Sequence, residues 1–261
     1  MNSLQLDILP PANAPSQTRE RPTHAQPPAL SREEAGELNH RMEHWPAEDI
    51  IHYAVQRFPG QTAVTSSFGA DSAIMLHLAT RVCGNIPVLA VNTGFLFPQT
   101  LDFAARLQQQ LGLNLQWHQP VMTSESFVAE HGPMWKNSPD ACCAFNKREP
   151  FLRAKQGLKA WMTGIRREQS ITRRRAPIVS VDDEGLAKFC PIANWTARDI
   201  HAYLTTHNLP YHPLREEGYL SIGCTHCTRR VQPGEDARAG RWAGFDKTEC
   251  GLHTFGQGDG I

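Results

Sequence analysis

The chain has 261 residues, 40% of them apolar, with 26 Lys and Arg balanced by 26 Asp and Glu. That length suffices for one large domain or two small ones with a buried core. Zero formal charge excludes the strongly basic character of a general nucleic-acid coat protein, and no apolar run nears the roughly 18 to 20 residues of a membrane-spanning helix.

Residues 1–30 read as a disordered leader. Six of the nineteen prolines lie within the first 28 residues, where an even distribution would place about two. The leader lacks a charged start followed by an apolar stretch and a small-residue cleavage site, so a cytoplasmic location is expected. Ser31, followed by Glu33 and Glu34, predicts a helix start. A second helix is predicted from Pro46 to just before Pro59-Gly60, with Ile51, Ala54, Val55 and Phe58 on one face. Strands and helices then alternate: a strand at 62–66, a loop at 67–71, a helix at 72–81 and a strand at 86–91 ending in the turn Asn92-Thr93-Gly94. A helix at 98–111, closed by Gly112, and a strand at 115–117 follow. Further strands are predicted at 161–164 and 178–181. This alternation implies an α/β, Rossmann-like fold over 31–242, with a mostly parallel sheet flanked by helices and ligands beyond the strands' carboxyl ends. The C-terminal third reads as loop-rich. Residues 232–261 hold seven of the nineteen glycines, where about two would be even, so 243–261 is expected to be flexible.

Charge is locally uneven. Ten Lys and Arg lie between Lys147 and Arg175, opposed only by Glu149 and Glu168. Arg148, Arg153, Lys155 and Lys159 read as a solvated helix face, whereas the triple Arg173-Arg174-Arg175 points to a polyanionic ligand.

Three constellations carry chemistry. The loop Ser66-Ser67-Phe68-Gly69-Ala70-Asp71-Ser72 lies between a strand and a helix. Its small residues allow close backbone approach, and helix N–H groups face an anion. The second constellation comes from the seven cysteines, an odd number that argues against a disulfide scaffold. Cys142-Cys143 and Cys224-x-x-Cys227 make a set of four soft thiolates, suited to zinc or to an iron–sulfur cluster. Adjacent cysteines fit a single zinc ion less well, and the choice stays open on chemistry alone. Cys83 and Cys190 sit in apolar contexts and read as bystanders. The third is Cys250, near a glycine-rich end, placed to enter a pocket and carry a covalent adduct. Its thiolate calls for cationic neighbours such as His253, Lys247 or the Arg-rich stretch.

The loop resembles that of the ATP-pyrophosphatase-like (adenine nucleotide alpha hydrolase-like) superfamily. Taken together, the motifs resemble the assimilatory adenylylsulfate (APS) and phosphoadenylylsulfate (PAPS) reductases, within them the cluster-containing APS branch, over about residues 46–253. The resemblance is carried by the two cysteine pairs, by Glu249-Cys250-Gly251-Leu252-His253, and by Gly164-x-Arg166-x-x-Gln169-Ser170-x-x-Arg173. It implies that Cys142, Cys143, Cys224 and Cys227 bind one [4Fe-4S] cluster and that Ser66, Ser67, Phe68, Gly69 and Ser72 hold the nucleotide. It further implies that Lys147, Arg238, Arg241 and His253 face the phosphosulfate, that Arg166 helps bind substrate, and that Cys250 is the nucleophile. The implied reductant is thioredoxin or a glutaredoxin-like dithiol donor, the products sulfite and AMP, and neither nucleic acid nor membrane is an expected partner. A homo-oligomer is compatible with the sequence. The chain departs from the family pattern at Asn92 and Gln99 (usually Asp and Glu), at Asn146 (Arg in many relatives), at His226 (usually Pro) and at Ala243-Gly244. Two alternatives stay open: a PAPS or dual-specificity reductase, and, in another class, an ATP-dependent tRNA-thiolating enzyme.

Overall fold

A computed structural model describes residues 28–252. Most of the leader, and His253, lie outside the described residues. Small and β-branched residues form the central strands, and Thr62, Ala63, Val64, Val88, Leu89 and Ala90 are all buried, as a parallel sheet covered on both faces requires. The strands are β1 (Thr62–Thr65), β2 (Pro87–Val91), β3 (Asn114–His118), β4 (Ala160–Met162), β5 (Val179–Val181) and β6 (Ala187–Phe189). They form one sheet in the order β3-β2-β1-β4-β6-β5, parallel throughout except for β5, which runs antiparallel to β6.

The helices are α1 (Arg32–Met42), α2 (Ala47–Arg57), α3 (Ser72–Val82), α4 (Pro98–Leu111), α5 (Ser124–His131), the short α6 (Met134–Asn137), α7 (Pro139–Cys143) and α8 (Glu149–Ala154), and α9 (Ala197–Thr206). Ser31 opens α1 with a capping box, its hydroxyl accepting from Glu34 N–H while the Glu34 carboxylate accepts from Ser31 N–H. Gly112 closes α4 in the left-handed conformation, at φ +62°. Leu30, placed in the leader by the sequence reading, is buried in the core, so ordered structure begins before residue 31.

The helices α5, α6 and α7 were not anticipated, and neither were β6 and α9. β6 is only three residues long and carries Lys188 at its centre, so it shows no apolar alternation; pairing between β4 and β5 makes it a strand. α9 lies in the stretch expected to be loops. Thr196 and Asp199 cap it reciprocally, and Ile200 and Leu204 are its buried face.

The edge strand β5 is protected by a side chain. Asn39 on α1 donates from Nδ2 to Val179 O (2.6 Å) and accepts at Oδ1 from Val179 N–H (3.0 Å), which occupies backbone groups that would otherwise be open to another strand.

Chain order makes the functional crevice. From β1 the chain steps to β2 and β3 on one side, then returns to place β4 on β1's other side. Loops leaving the carboxyl ends of β1 and β4 therefore diverge, and the gap between them is the switch point where such sheets bind ligands.

His212 props this region from below. It is fully buried, its N–H donates to Ala70 O (3.3 Å) and its Nδ1 accepts from Leu214 N–H (3.1 Å), so Nε2 carries the proton and donates to Thr100 Oγ1 (3.0 Å). Burial pushes its pKa down to about 4 from 6.5. The unfolded chain takes up this proton below pH 6.5 and the folded chain does not, so stability is complete above 6.5 and falls as pH drops toward 4, by about 3 kcal/mol in all. Urea midpoints at pH 7 and pH 5 should show this loss, and His212→Gln should flatten the difference while lowering stability at pH 7.

Candidate active site

The loop after β1 is shaped by its own hydroxyls. Ser66 N–H donates to Leu89 O (3.0 Å), and Ser66 Oγ accepts from Phe68 N–H (3.0 Å). Phe68 takes a left-handed conformation (φ +48°), unusual for an aromatic residue. Its ring is buried and packs on Trp117 at 5.6 Å, which anchors the loop. Ser72 Oγ donates to Gly69 O (2.9 Å). Asp71 precedes α3 but its carboxylate makes no capping bond; it accepts instead from Arg166 Nη2 at 2.9 Å. The amine end of α3 is thus left facing the crevice, a favourable position for an anion.

The crevice is a single cleft. Ser66, Ser67, Gly69 and Ser72 line it from the first loop, and Thr163, Gly164 and Ile165 from the loop after β4. Lys147, Arg173, Arg238 and Arg241 line it as well, together with Cys250. Each cation is delivered by a specific backbone device. Lys147 sits in a π-helical turn (Ala144–Arg148) between α7 and α8, the wider kind of turn that recurs at functional sites. Arg238 follows a turn in which the Asp236 carboxylate accepts its N–H (2.8 Å). Arg241 lies in a bridge to Thr228, and Gly240 before it leaves no room for a Cβ against the Arg229 carbonyl. Its guanidinium donates to the carbonyls of Ile222 (3.3 Å) and Cys227 (3.4 Å) and lies over the Trp242 ring at 4.4 Å.

Positive charge is in excess. Burial, then Arg173 and Arg241 nearby, push Arg238 down to about 10. Burial also acts to lower Lys147, but Cys224 and Cys250 beside it outweigh that and raise its pKa. The carboxylates lining the cleft are Asp71, already paired with Arg166, and Glu249. Four cations facing one available carboxylate make a cleft that favours an anion.

The two cysteine pairs meet beside this cleft. Thr225 N–H donates to Phe95 O (2.9 Å) and Leu96 bridges Cys224, which ties the second pair to the turn after β2. Trp242 N–H donates to Cys227 O (3.1 Å), which ties the pair to Arg241 as well. Burial, then Cys143 and Cys224, raise Cys142 to about 11; burial, then Cys224 and Cys143, raise Cys227 to about 12. Thr93 Oγ1 lies 3.3 Å from Cys224 Sγ, and Asn146 Nδ2 lies 3.7 Å from Cys142 Sγ. His226 stacks on Trp135 at 4.1 Å. Among the described residues, no three His, Cys, Asp or Glu side chains converge into a site for a metal ion. The donor set nonetheless suits a soft, multiply charged group: four thiols from two segments, with polar side chains beside two of the sulfurs.

The phosphoadenosine phosphosulfate reductase domain matches residues 61–230 of this chain. The chain belongs to that family. It is 46% identical over 221 residues to "Phosphoadenosine 5'-phosphosulfate reductase" of Xylella fastidiosa, covering 83% of this chain and 92% of that protein. It is 41% identical over 209 residues to "Adenosine 5'-phosphosulfate reductase" of Streptomyces coelicolor, covering 79% and 88%. The crystal structure of phosphoadenylyl-sulfate (PAPS) reductase from Candida auris, a phosphate complex, superposes with a TM-score of 0.68 at 28% identity, covering 78% of this chain and 98% of that one. Candida glabrata FMN adenylyltransferase, at 15% identity and a TM-score of 0.51 over 76% of this chain and 73% of that one, shares the fold alone. This reductase-family chain is therefore an enzyme with a mostly parallel sheet flanked by helices, as expected, and among the described residues no helix is long and apolar enough to cross a membrane.

Of the residues singled out in the sequence, Ser66, Ser67, Gly69, Ser72, Lys147, Arg238, Arg241 and Cys250 line one cleft. Phe68 and Arg166 stand behind its wall, Phe68 as an apolar anchor and Arg166 as a brace on Asp71. His253 lies outside the described residues. Of the arginine triplet, Arg173 turns into the cleft while Arg174 and Arg175 stay exposed. Sequence reasoning assigned no role to Glu249 or Gln169, which hold Arg173 at 2.7 and 2.6 Å. It read Asn146 only as a departure, whereas its amide is buried against Cys142. The tail expected to be flexible is docked as far as Leu252, which packs beside Phe151 and Trp161.

Arg241→Ala should weaken binding of inorganic sulfate by roughly tenfold or more, as expected for one lost charge-assisted contact, read by calorimetry at fixed ionic strength. Arg166→Ala should instead lower stability by about 2–3 kcal/mol in urea unfolding, because the Asp71 carboxylate is left without its partner.

Proposed function

We propose that the chain reduces adenylylsulfate (APS) to sulfite and AMP, in assimilatory sulfate reduction, through an S-sulfonate on Cys250. The observation that carries this reading is the presence of Cys250 in the same cleft as four cations and the Ser66–Ser72 loop. The loop and the amine end of α3 bind the nucleotide, and Lys147, Arg238 and Arg241 surround the phosphosulfate. The Cys250 thiolate attacks the sulfonate sulfur. An S–S bond forms, the bond from sulfur to the bridging oxygen breaks, and AMP leaves with the electron pair. Guanidiniums around the phosphate stabilise the charge that develops there, each worth about 3 kcal/mol if aimed well. A thiolate of thioredoxin, or of a glutaredoxin-like dithiol donor, then attacks Cys250 Sγ. Sulfite leaves with the S–S electron pair, and the donor's second thiol resolves the mixed disulfide, so the donor supplies both electrons.

Cys142, Cys143, Cys224 and Cys227 would hold one [4Fe-4S] cluster. When bound, it supplies a cross-link between two distant segments and a fixed charge next to Lys147, and it carries no electron in this scheme. Four soft thiols, two from each of two distant segments, with Thr93 beside Cys224 and Asn146 beside Cys142, support the assignment. Purified protein should be brown and contain about four irons and matching sulfide per chain; zinc in their place would overturn it.

APS as the substrate is favoured by the resemblance to the cluster-containing branch. PAPS is the second reading, favoured by the name of the Xylella fastidiosa relative. The kcat/KM values for the two nucleotides decide between them, with APS expected to be preferred. Membership in this family, together with the place of Cys250 in the cleft, counts against the tRNA-thiolating alternative.

Cys250→Ser should abolish sulfite formation, by about a thousandfold or more, while leaving AMP binding intact. Incubation with labelled APS and no reductant should leave label on Cys250; a fully active Ser variant would refute the nucleophile assignment.

A further inference from the structure

The residue before the nucleophile is gripped by the cations that give the cleft its charge. Glu249 Oε1 accepts from Arg173 Nε and Oε2 from Arg173 Nη2, both at 2.7 Å, a bidentate fork. Oε2 also accepts from Arg238 Nη2 at 3.2 Å, and the same nitrogen donates to Thr248 O at 2.7 Å. The three side chains are largely buried, at 16% exposure for Glu249, 10% for Arg173 and 14% for Arg238. Further along, Lys247 pairs with Asp140 and lies over the Trp242 ring, and Gly251 turns the chain at φ +83° against Arg148. Cys250 is therefore held from both sides, with the strongest grip one residue away.

We propose that Glu249 is a positioning residue with a second role as an internal anion: it seats Cys250 over the cleft through Arg173 and Arg238, and it competes there with incoming anions. The proposal rests on the reading of Cys250 as nucleophile for its effect on transfer, but not for its effects on anion affinity or on exposure of the thiol. Burial acts to raise the Glu249 pKa, but Arg173, Arg238 and Arg241 outweigh it and lower the pKa, so the competing group is a carboxylate. A bound substrate or product anion weakens its hold on the guanidiniums. The tail is then freer to present a modified Cys250 to a donor, and it reseats when the cleft empties. The competition also reduces the apparent affinity of any anion by the fraction of time the guanidiniums are occupied.

Removing the charge should therefore move binding and transfer in opposite directions, which a merely structural residue does not do. In Glu249→Gln, AMP and inorganic sulfate should bind roughly tenfold tighter, and single-turnover S-sulfonate formation at saturating APS should slow roughly tenfold. Alkylation of Cys250 by iodoacetamide without ligand, located by mass spectrometry on the loaded enzyme, should be faster by a similar factor. Glu249→Asp should recover part of each effect. If Glu249→Gln does not fold, Arg173→Lys, which keeps the charge and loses the fork, should give the same rise in alkylation. Unchanged alkylation together with unchanged AMP affinity would overturn the proposal, as would a parallel loss of binding and transfer. An active Cys250→Ser would remove the catalytic reading while leaving the alkylation and AMP results to judge Glu249 by themselves.

Discussion

The structure depends on gathering positive charge in a place partly withdrawn from water. Lys147, Arg173 and the pair Arg238 and Arg241 come from three separate stretches of chain and face one another across a cleft, a repulsive arrangement unless an anion is present. Much of the surrounding architecture makes that arrangement tenable. The amine end of α3 adds a further partial positive charge, Asp71 is turned away to Arg166, and Glu249 supplies the remaining carboxylate. An active site of this kind stores the affinity for its ligand as unrelieved charge, and the fold has to hold it against relaxation.

The sheet supplies the frame. Because the strand order changes side at β1, the loops after β1 and β4 open away from each other, and the cleft needs no side-chain carving at its base. The two cysteine pairs add a second frame at right angles to sequence order. Backbone bonds from Thr225 to Phe95 and from Trp242 to Cys227 link the turn after β2, the Cys224–Cys227 segment and the arginine-bearing C-terminal loop into one assembly. The Cys224–Cys227 segment is therefore coupled mechanically to Arg241, whose guanidinium rests on the Cys227 and Ile222 carbonyls.

Much of this was legible in the sequence, for identifiable reasons. The helices with strong signals, such as the Ser31–Glu34 capping box and the Gly112 terminus, fall where expected, because caps are local chemistry. The strands at 62–66 and 86–91 were readable as short buried runs. β6 was not, since a three-residue strand with a central lysine owes its form to its neighbours rather than its own pattern. At the site, the cysteine pairs and the serine-rich loop announced themselves by type and spacing, whereas Lys147, Arg238 and Arg241 were pointed out by the family resemblance. Their division of labour did not announce itself. Nothing local distinguishes Arg166, which braces a loop, from Arg173, which enters the cleft, and the Arg173–Glu249 pair spans 76 positions of sequence. Phe68, which the resemblance places at the nucleotide, buries its ring against Trp117 on β3, a contact that nothing in its own segment announces.

The pairing of Asn39 with Val179 has a consequence for handling this protein. One amide side chain occupies the Val179 backbone groups on the open side of the edge strand β5, and the helix that carries it begins at Arg32. A version trimmed past Met42 would keep every residue of the cleft and yet leave that backbone bare, a template for strand addition by neighbouring molecules. Solubility in this chain is thus guarded from its N-terminal side, remote in sequence from all of its chemistry.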